Sequence, residues 1–488
     1  MTGPFPQSMD FAGMNAPSRI EADIYDLVVE GEIPSEINGR WYRATPDHQY
    51  PPSYADDTYI SGDGMISMFR IEDGHVDYKS RYVMTERLKN DRKARRSLYG
   101  RYRNPYTDDP SVRHRPGRSA ANTTPVFHAG RLLATKEDGR PMELDPDTLA
   151  TLGEYDFGGK LRSDTVTAHV RIDNDTGTMY LFGYEAGGLA TDDVAYLVVD
   201  EAGNLVREQW FKGPSASLMH DFAVTKNYAI FPFFPLKTDL ERLKAGGPHW
   251  VWDFDETETV MGIMPRDGDV SDMRWFRGAA AMSFHFMNAF DEGDKVHVDF
   301  GVSEMMIFPF MQRDSGIEPG PPGPGSPRTG IARWTFDMAG QANTWSERII
   351  APPGDMPRVA DKDHMKPYEI GYYESFDPRF GPPLVAGPVG VGFNVMNRLN
   401  NKTGEIRQYS AGPGTTIQEA VHIASKDPGH EGWLLFVVDM HDSHHTEAHL
   451  IEAEHPEKGA IARIMIPFRF RNQVHGTWVP EELVKARN

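Results

Sequence analysis

Four histidines sit in matching settings far apart in the chain. His169 lies in TAHV (167–170), His220 in SLMHDFAVT (217–225), His285 in SFHF (283–286) and His475 in QVHGTW (473–478), each a mostly apolar stretch suited to a strand. Any one of them alone reads as a core histidine. Together they offer four neutral imidazoles, a donor set that suits Fe(II), Cu(II), Ni(II) or Zn(II). In octahedral geometry four protein ligands leave two positions open, which is what oxygen chemistry on iron needs. A ligating imidazole donates its other N–H to a carboxylate or carbonyl. Glu137, directly after LLATK (132–136), and Glu419, within TIQEAV (416–421), are therefore candidates to stand behind ligands, although each acid alone reads as a surface ion-pair partner. Asp221 faces away from His220 if the strand is regular, so its expected role is structural.

A denser histidine cluster, His441, His444, His445 and His449, carries less weight. The runs on either side of it, 432–438 and 448–453, read as two strands, which makes the cluster an exposed hairpin turn rather than a site.

Histidines this dispersed need a scaffold that converges. Strand, glycine turn and strand recur along the chain: 65–70 and 75–83 flank EDG, and 195–199 and 205–210 flank EAGN. Helices do not alternate with these strands, so an all-β propeller or large barrel is expected rather than a βαβ fold. In a propeller, inner strands of successive blades approach one axis, and each can donate a side chain there. The Arg- and Lys-rich stretch 85–103 reads as a short helix or long excursion, 238–244 as a short helix and 314–330 as a surface loop. Residues 1–20 are expected to form a flexible arm and 21–488 a single domain.

Composition narrows the chemistry further. The 488 residues carry a formal net charge of -20 and no cysteine. The charge argues against nucleic acid or an anionic membrane as partner. The missing cysteine excludes disulfides, iron–sulfur clusters, thiolate haem and thiol nucleophiles, leaving His, Asp and Glu to hold any metal. No Walker A loop, dinucleotide fingerprint, HExxH motif or nucleophile elbow occurs. There is no signal-peptide pattern and no apolar run long enough to span a bilayer, so a cytoplasmic protein without integral membrane association is expected.

Several further segments, in this order, carry a resemblance: GEIP (31–34), NG (38–39), GDGM (62–65), RYV (81–83), ANT (121–123) and LLA (132–134) with Glu137, then the four histidine segments. From about residue 28 to 480 the chain resembles the carotenoid cleavage oxygenases, and within them the bacterial lignostilbene (stilbene-cleaving) dioxygenases. The resemblance implies a seven-bladed β-propeller with a cap of loops and short helices over the metal face. It implies Fe(II) held by His169, His220, His285 and His475, with Glu137, Asp355 and Glu419 behind them. Asp355 departs from the pattern, because most relatives carry Glu there. One methylene shorter, it is expected to reach its imidazole through water or not at all. Tyr102 and Lys136 would bind a substrate phenol, and Tyr59 would stack on its ring. Lys136 and Glu137, as strand neighbours, would face opposite sides.

The implied reaction splits the central alkene of a 4-hydroxystilbene, of lignostilbene or resveratrol type, with O2 into two aromatic aldehydes. A homodimer is compatible with this reading. The alternative is an apocarotenoid or carotenoid cleavage oxygenase with the same iron site, which the Tyr102–Lys136 pair disfavours, since a polyene gives a buried amine nothing to bind. A calcium-dependent lactonase propeller and a non-catalytic scaffold propeller are the more distant readings.

Overall fold

A computed structural model describes residues 4–113, 115–304, 306 and 328–486. Most of the expected surface loop 314–330 lies outside the described residues. The chain divides into two compact units: residues 1–156, 376–397 and 407–488 form one, and 157–375 with 398–406 the other.

In the first unit the chain ends meet in one sheet. Gly39–Pro46 pairs on one side with Gly64–Glu72 and on the other with Gly476–Pro480, placing Trp41 opposite Trp478. A second sheet runs Thr124–His128, Arg131–Thr135, Met142–Leu144 and Thr151–Glu154. A third is built around Trp433–Met440, His445–Glu452 and Ala460–Ile466, with Val29–Gly31 on its edge.

The second unit repeats one plan three times. Arg171–Asp173, Thr178–Tyr184, Asp193–Val199 and Leu205–Lys212 form a four-stranded antiparallel sheet in chain order. Ala223–Val224, Tyr228–Phe233, Glu258–Pro265 and Arg274–Ala279 form the next, and Phe286–Glu292, Lys295–Val302, Gly330–Asp337 and Trp345–Ala351 the third. A further sheet runs Asp355–Val359, Ile370–Ser375, Val395–Asn400 and Ile406–Tyr409, which brings the large sheets among the described residues to seven.

Side-chain character grades across each repeat. The second and third strands are apolar and buried on both faces, as in the run VAYLVV (194–199). The fourth is polar and solvent-facing, as in Trp345–Ala351, where Ser346, Glu347, Arg348 and Ile349 are exposed. Aromatic packing supports the middle strands: Trp334 lies 4.3 Å from Trp345 and 4.7 Å from Phe300 between ring centroids. Burial of one such ring contributes about 1.5–3 kcal/mol.

Two local expectations change. The N-terminal segment is anchored rather than free. Phe11, Met14 and Asn15 are buried, Asp10 accepts the Tyr59 backbone N–H at 3.0 Å, and Arg471 donates to the Asp10 carbonyl at 2.7 Å. Phe11 gives the segment an apolar foothold that its polar neighbours obscure. The histidine cluster is only partly a turn. His445 opens the strand His445–Glu452, and His449 is buried within it, its ring bonded by the Tyr409 hydroxyl on one side and Glu447 on the other.

The excursion 85–103 contains the helix Glu86–Ala94. Thr85 caps it by accepting the Leu88 N–H, and Arg95 ends it in the left-handed region at φ 56°. Among the described residues no helix is long and apolar enough to cross a membrane.

Candidate metal and substrate site

The repeat places histidines at equivalent points. His169 is two residues ahead of Arg171–Asp173, His220 three ahead of Ala223–Val224, and His285 directly precedes Phe286–Glu292. Each leads into the first strand of its sheet. In the second unit the three imidazoles converge: His169 Nε2 and His220 Nε2 are 3.0 Å apart, and His220 Nε2 and His285 Nε2 3.2 Å apart. With metal–nitrogen bonds of about 2.1 Å, ligands at right angles stand about 3.0 Å apart and tetrahedral ligands about 3.4 Å. The observed spacings therefore fit neighbouring positions at or near right angles, and the donor set can bind a metal ion.

Asp355 corrects an expectation. Its Oδ1 accepts the Nδ1–H of His285 directly, at 2.8 Å. The backbone makes up for the missing methylene. Asp355–Val359 pairs with Ile370–Ser375 across a register shift between Asp355 and Arg358, and Met356 adopts a left-handed φ of 51°. This bulge tips Asp355 toward the imidazole. The bond fixes the His285 tautomer with its Nε2 lone pair available.

In the first unit His475 directly precedes Gly476–Pro480. Its Nδ1–H donates to Glu419 Oε1 at 2.9 Å, while Glu419 Oε2 accepts the Gly476 N–H at 2.6 Å. The carboxylate thus holds both the ring and the backbone beside it. Arg43 ties this pair together from behind by donating to the side-chain oxygens of Gln473 and Gln418.

Lys136 and Tyr102 also come together in the first unit. Lys136 is buried, with Nζ 5.4 Å from the centre of the Tyr102 ring. It donates to the Ile60 carbonyl at 2.9 Å and to Asn122 Oδ1 at 3.0 Å. Burial pushes the amine down to about 8, with Asp138 and Glu137 opposing. The Tyr102 hydroxyl donates to Glu137 Oε1 at 3.2 Å. Burial and the Glu137 charge push that phenol well above its usual range, so it remains a proton donor. Glu137 also lies 3.8 Å from the buried Arg103 guanidinium.

Tyr59 does not offer a stacking face. It is 0% exposed, the Arg471 guanidinium lies 4.1 Å from its ring centre, and its hydroxyl donates to the Asn472 carbonyl. Arg471 thus covers the ring. Neither Arg471 nor Arg43 was expected from sequence, because neither arginine belongs to a local motif. Asn122 lay within a quoted motif without a role, and its reach to Lys136 supplies one. Gly64 of GDGM is small for a related reason: a Cβ there would meet the Ala121 carbonyl oxygen at 2.3 Å.

Comparison with known proteins identifies the family. The sequence profile described as retinal pigment epithelial membrane protein, RPE65, matches residues 15–480. The isoeugenol monooxygenase of Pseudomonas nitroreducens is 39% identical over 471 residues, covering 96% of this chain and 97% of that protein. The lignostilbene-alpha,beta-dioxygenase isozyme III of Sphingomonas paucimobilis is 38% identical over 483 residues, covering 97% of each chain. The crystal structure of the Pseudomonas brassicacearum lignostilbene dioxygenase superposes with a TM-score of 0.92 at 38% identity, covering 98% of this chain and 100% of that one. The fold is thus a seven-bladed β-propeller, carrying imidazoles able to bind a metal. The chain belongs to the RPE65 family, the carotenoid cleavage oxygenases.

Proposed function

We propose that the substrate of this alkene-cleaving dioxygenase is a 4-hydroxystilbene, of lignin-derived or resveratrol type, cut at its central double bond into two aromatic aldehydes. The observation that carries the reading is Lys136, a buried amine lowered to about 8 beside the Tyr102 ring. A polyene gives such a group nothing to bind, whereas a phenol gives it a proton to accept.

His169, His220, His285 and His475 would hold the metal, each offering one imidazole nitrogen. The relatives and the all-imidazole set support Fe(II). When bound, ferrous iron would supply the redox chemistry that lets O2 react with an alkene. The protein's own groups do the rest. Asp355 and Glu419 hold the Nδ1–H of His285 and His475, which leaves each Nε2 lone pair available to a metal. Two of the three N–H groups of protonated Lys136 are taken by Ile60 and Asn122, so Nζ is held in place with one position left for a substrate oxygen. As the neutral amine, Lys136 accepts the phenol proton. The phenolate then pushes electron density through the ring to the alkene. Tyr102, held protonated by Glu137, lies beside this exchange as a polar wall. Both oxygen atoms of O2 end in the aldehydes, so no external reductant is consumed.

The isoeugenol monooxygenase relative supports a second reading, a 4-hydroxyphenyl alkene whose far substituent is a methyl group. A substrate panel separates these. Iron-loaded protein is expected to turn over a 4-hydroxystilbene faster than a propenylphenol, and both faster than an apocarotenal. Its 4-methoxystilbene counterpart should be nearly inert. Equal rates for the hydroxy and methoxy stilbenes would sink the role given to Lys136.

A further inference from the structure

Asp221 directly follows a proposed ligand, His220, and its carboxylate is spent on other partners. It is buried, and its two oxygens accept from Arg171 Nη2 at 2.7 and 2.6 Å. Arg171 in turn donates through Nε to the Phe222 carbonyl at 2.9 Å. Asp221 Oδ2 also accepts the backbone N–H of Phe286 at 2.9 Å, and Oδ1 the N–H of Phe222 at 2.7 Å. Each partner is adjacent to a ligand segment. Arg171 is two residues past His169, Asp221 one past His220, and Phe286 one past His285. One carboxylate therefore joins the three chain segments that carry the converging imidazoles.

Each segment leads into a different blade. A shared acceptor is the shortest route by which their mutual spacing can be set. We infer that Asp221, acting through Arg171 and the Phe286 N–H, is the positioning residue that fixes the relative placement of His169, His220 and His285, and so tunes metal affinity and ligand geometry without touching the ion. This rests on the reading of those histidines as ligands. The carboxylate's charge matters because the guanidinium shares it, while the N–H of Phe286 asks only for an oxygen. Asn at this position would keep the second contact and weaken the first.

The test uses the full-length chain stripped of metal and titrated with Co(II), whose visible absorption reports ligand geometry. Asp221→Asn is expected to fold, judged by circular dichroism and melting. It should bind Co(II) at least about tenfold more weakly, the range seen when a group behind a ligand is lost, with an altered absorption band. Arg171→Lys should fall between it and the parent. The control is Asp299→Asn, which breaks a comparable carboxylate–guanidinium pair, with Arg333 at 2.7 Å, in the same unit, its other side-chain contact going to the Tyr368 hydroxyl rather than to a histidine segment. It should lower the melting temperature and leave Co(II) affinity and spectrum unchanged. Parent-like Co(II) binding by Asp221→Asn, or equal weakening by Asp299→Asn, overturns the inference. His285→Ala separates the two layers: unchanged Co(II) binding there overturns the ligand reading itself.

Discussion

A lysine held by one carbonyl and one asparagine, with its amine lowered to about 8, is a poor structural residue and a good partner for a phenol. Its sign of action follows from burial. Desolvation disfavours the ammonium, so the neutral amine forms about two pH units earlier than in water. The free enzyme is then expected to show kcat/KM rising with pH as the amine appears and levelling above about 8, below the phenol's own ionisation near 10. Lys136→Met should retain metal, lose the rise and fall by roughly 10²–10⁴-fold, the usual contribution of a positioned acid or base. A Lys136→Met profile that keeps the same shape at a similar rate would remove the proton-transfer role. Asp355 shows the same scale from the other side: a direct 2.8 Å bond replaces the water-bridged or absent contact that side-chain length alone suggested.

The elements explain why some of this was legible in sequence. Each histidine sits where a strand's lead-in delivers it, in an apolar stretch around a polar ring that the sequence itself displays. The supporting carboxylates were harder. Glu419 lies in an apolar run and could be picked out, whereas Asp355 depends on a β-bulge and a left-handed Met356, which no periodicity announces. Tyr59 looked available because its cover, Arg471, comes from the far end of the chain. The packed N-terminus was missed because one buried phenylalanine is a weak signal in a proline-rich segment. Gly354 tests how far the bulge matters. A Cβ there would lie 2.3 Å from the Glu374 carbonyl oxygen and 2.4 Å from the Tyr373 ring. Gly354→Ala should destabilise the strand by about 1–3 kcal/mol through overpacking. It should also pull Asp355 off His285 and weaken metal binding more than a destabilising change elsewhere in the sheet does. Equal metal affinity in the variant and the parent would mean that the bulge is dispensable.

At the scale of the whole molecule, the repeated sheets give histidines equivalent places at strand lead-ins, and buried polar groups carry the chemistry. Neither property depends on the identity of the substrate, which is why relatives bearing isoeugenol and lignostilbene names share the frame. The claim that joins frame and chemistry is that histidine-held iron lets this protein split a phenolic alkene with O2. The most direct measurement is the stoichiometry of O2 uptake against aldehyde formation for Fe(II)-loaded protein given a 4-hydroxystilbene, beside the same protein with iron removed. The expected result is one O2 consumed for each pair of aldehydes, abolished by iron removal and restored by adding Fe(II). Iron bound at full occupancy with no aldehyde formed, or cleavage that continues without O2, would contradict it.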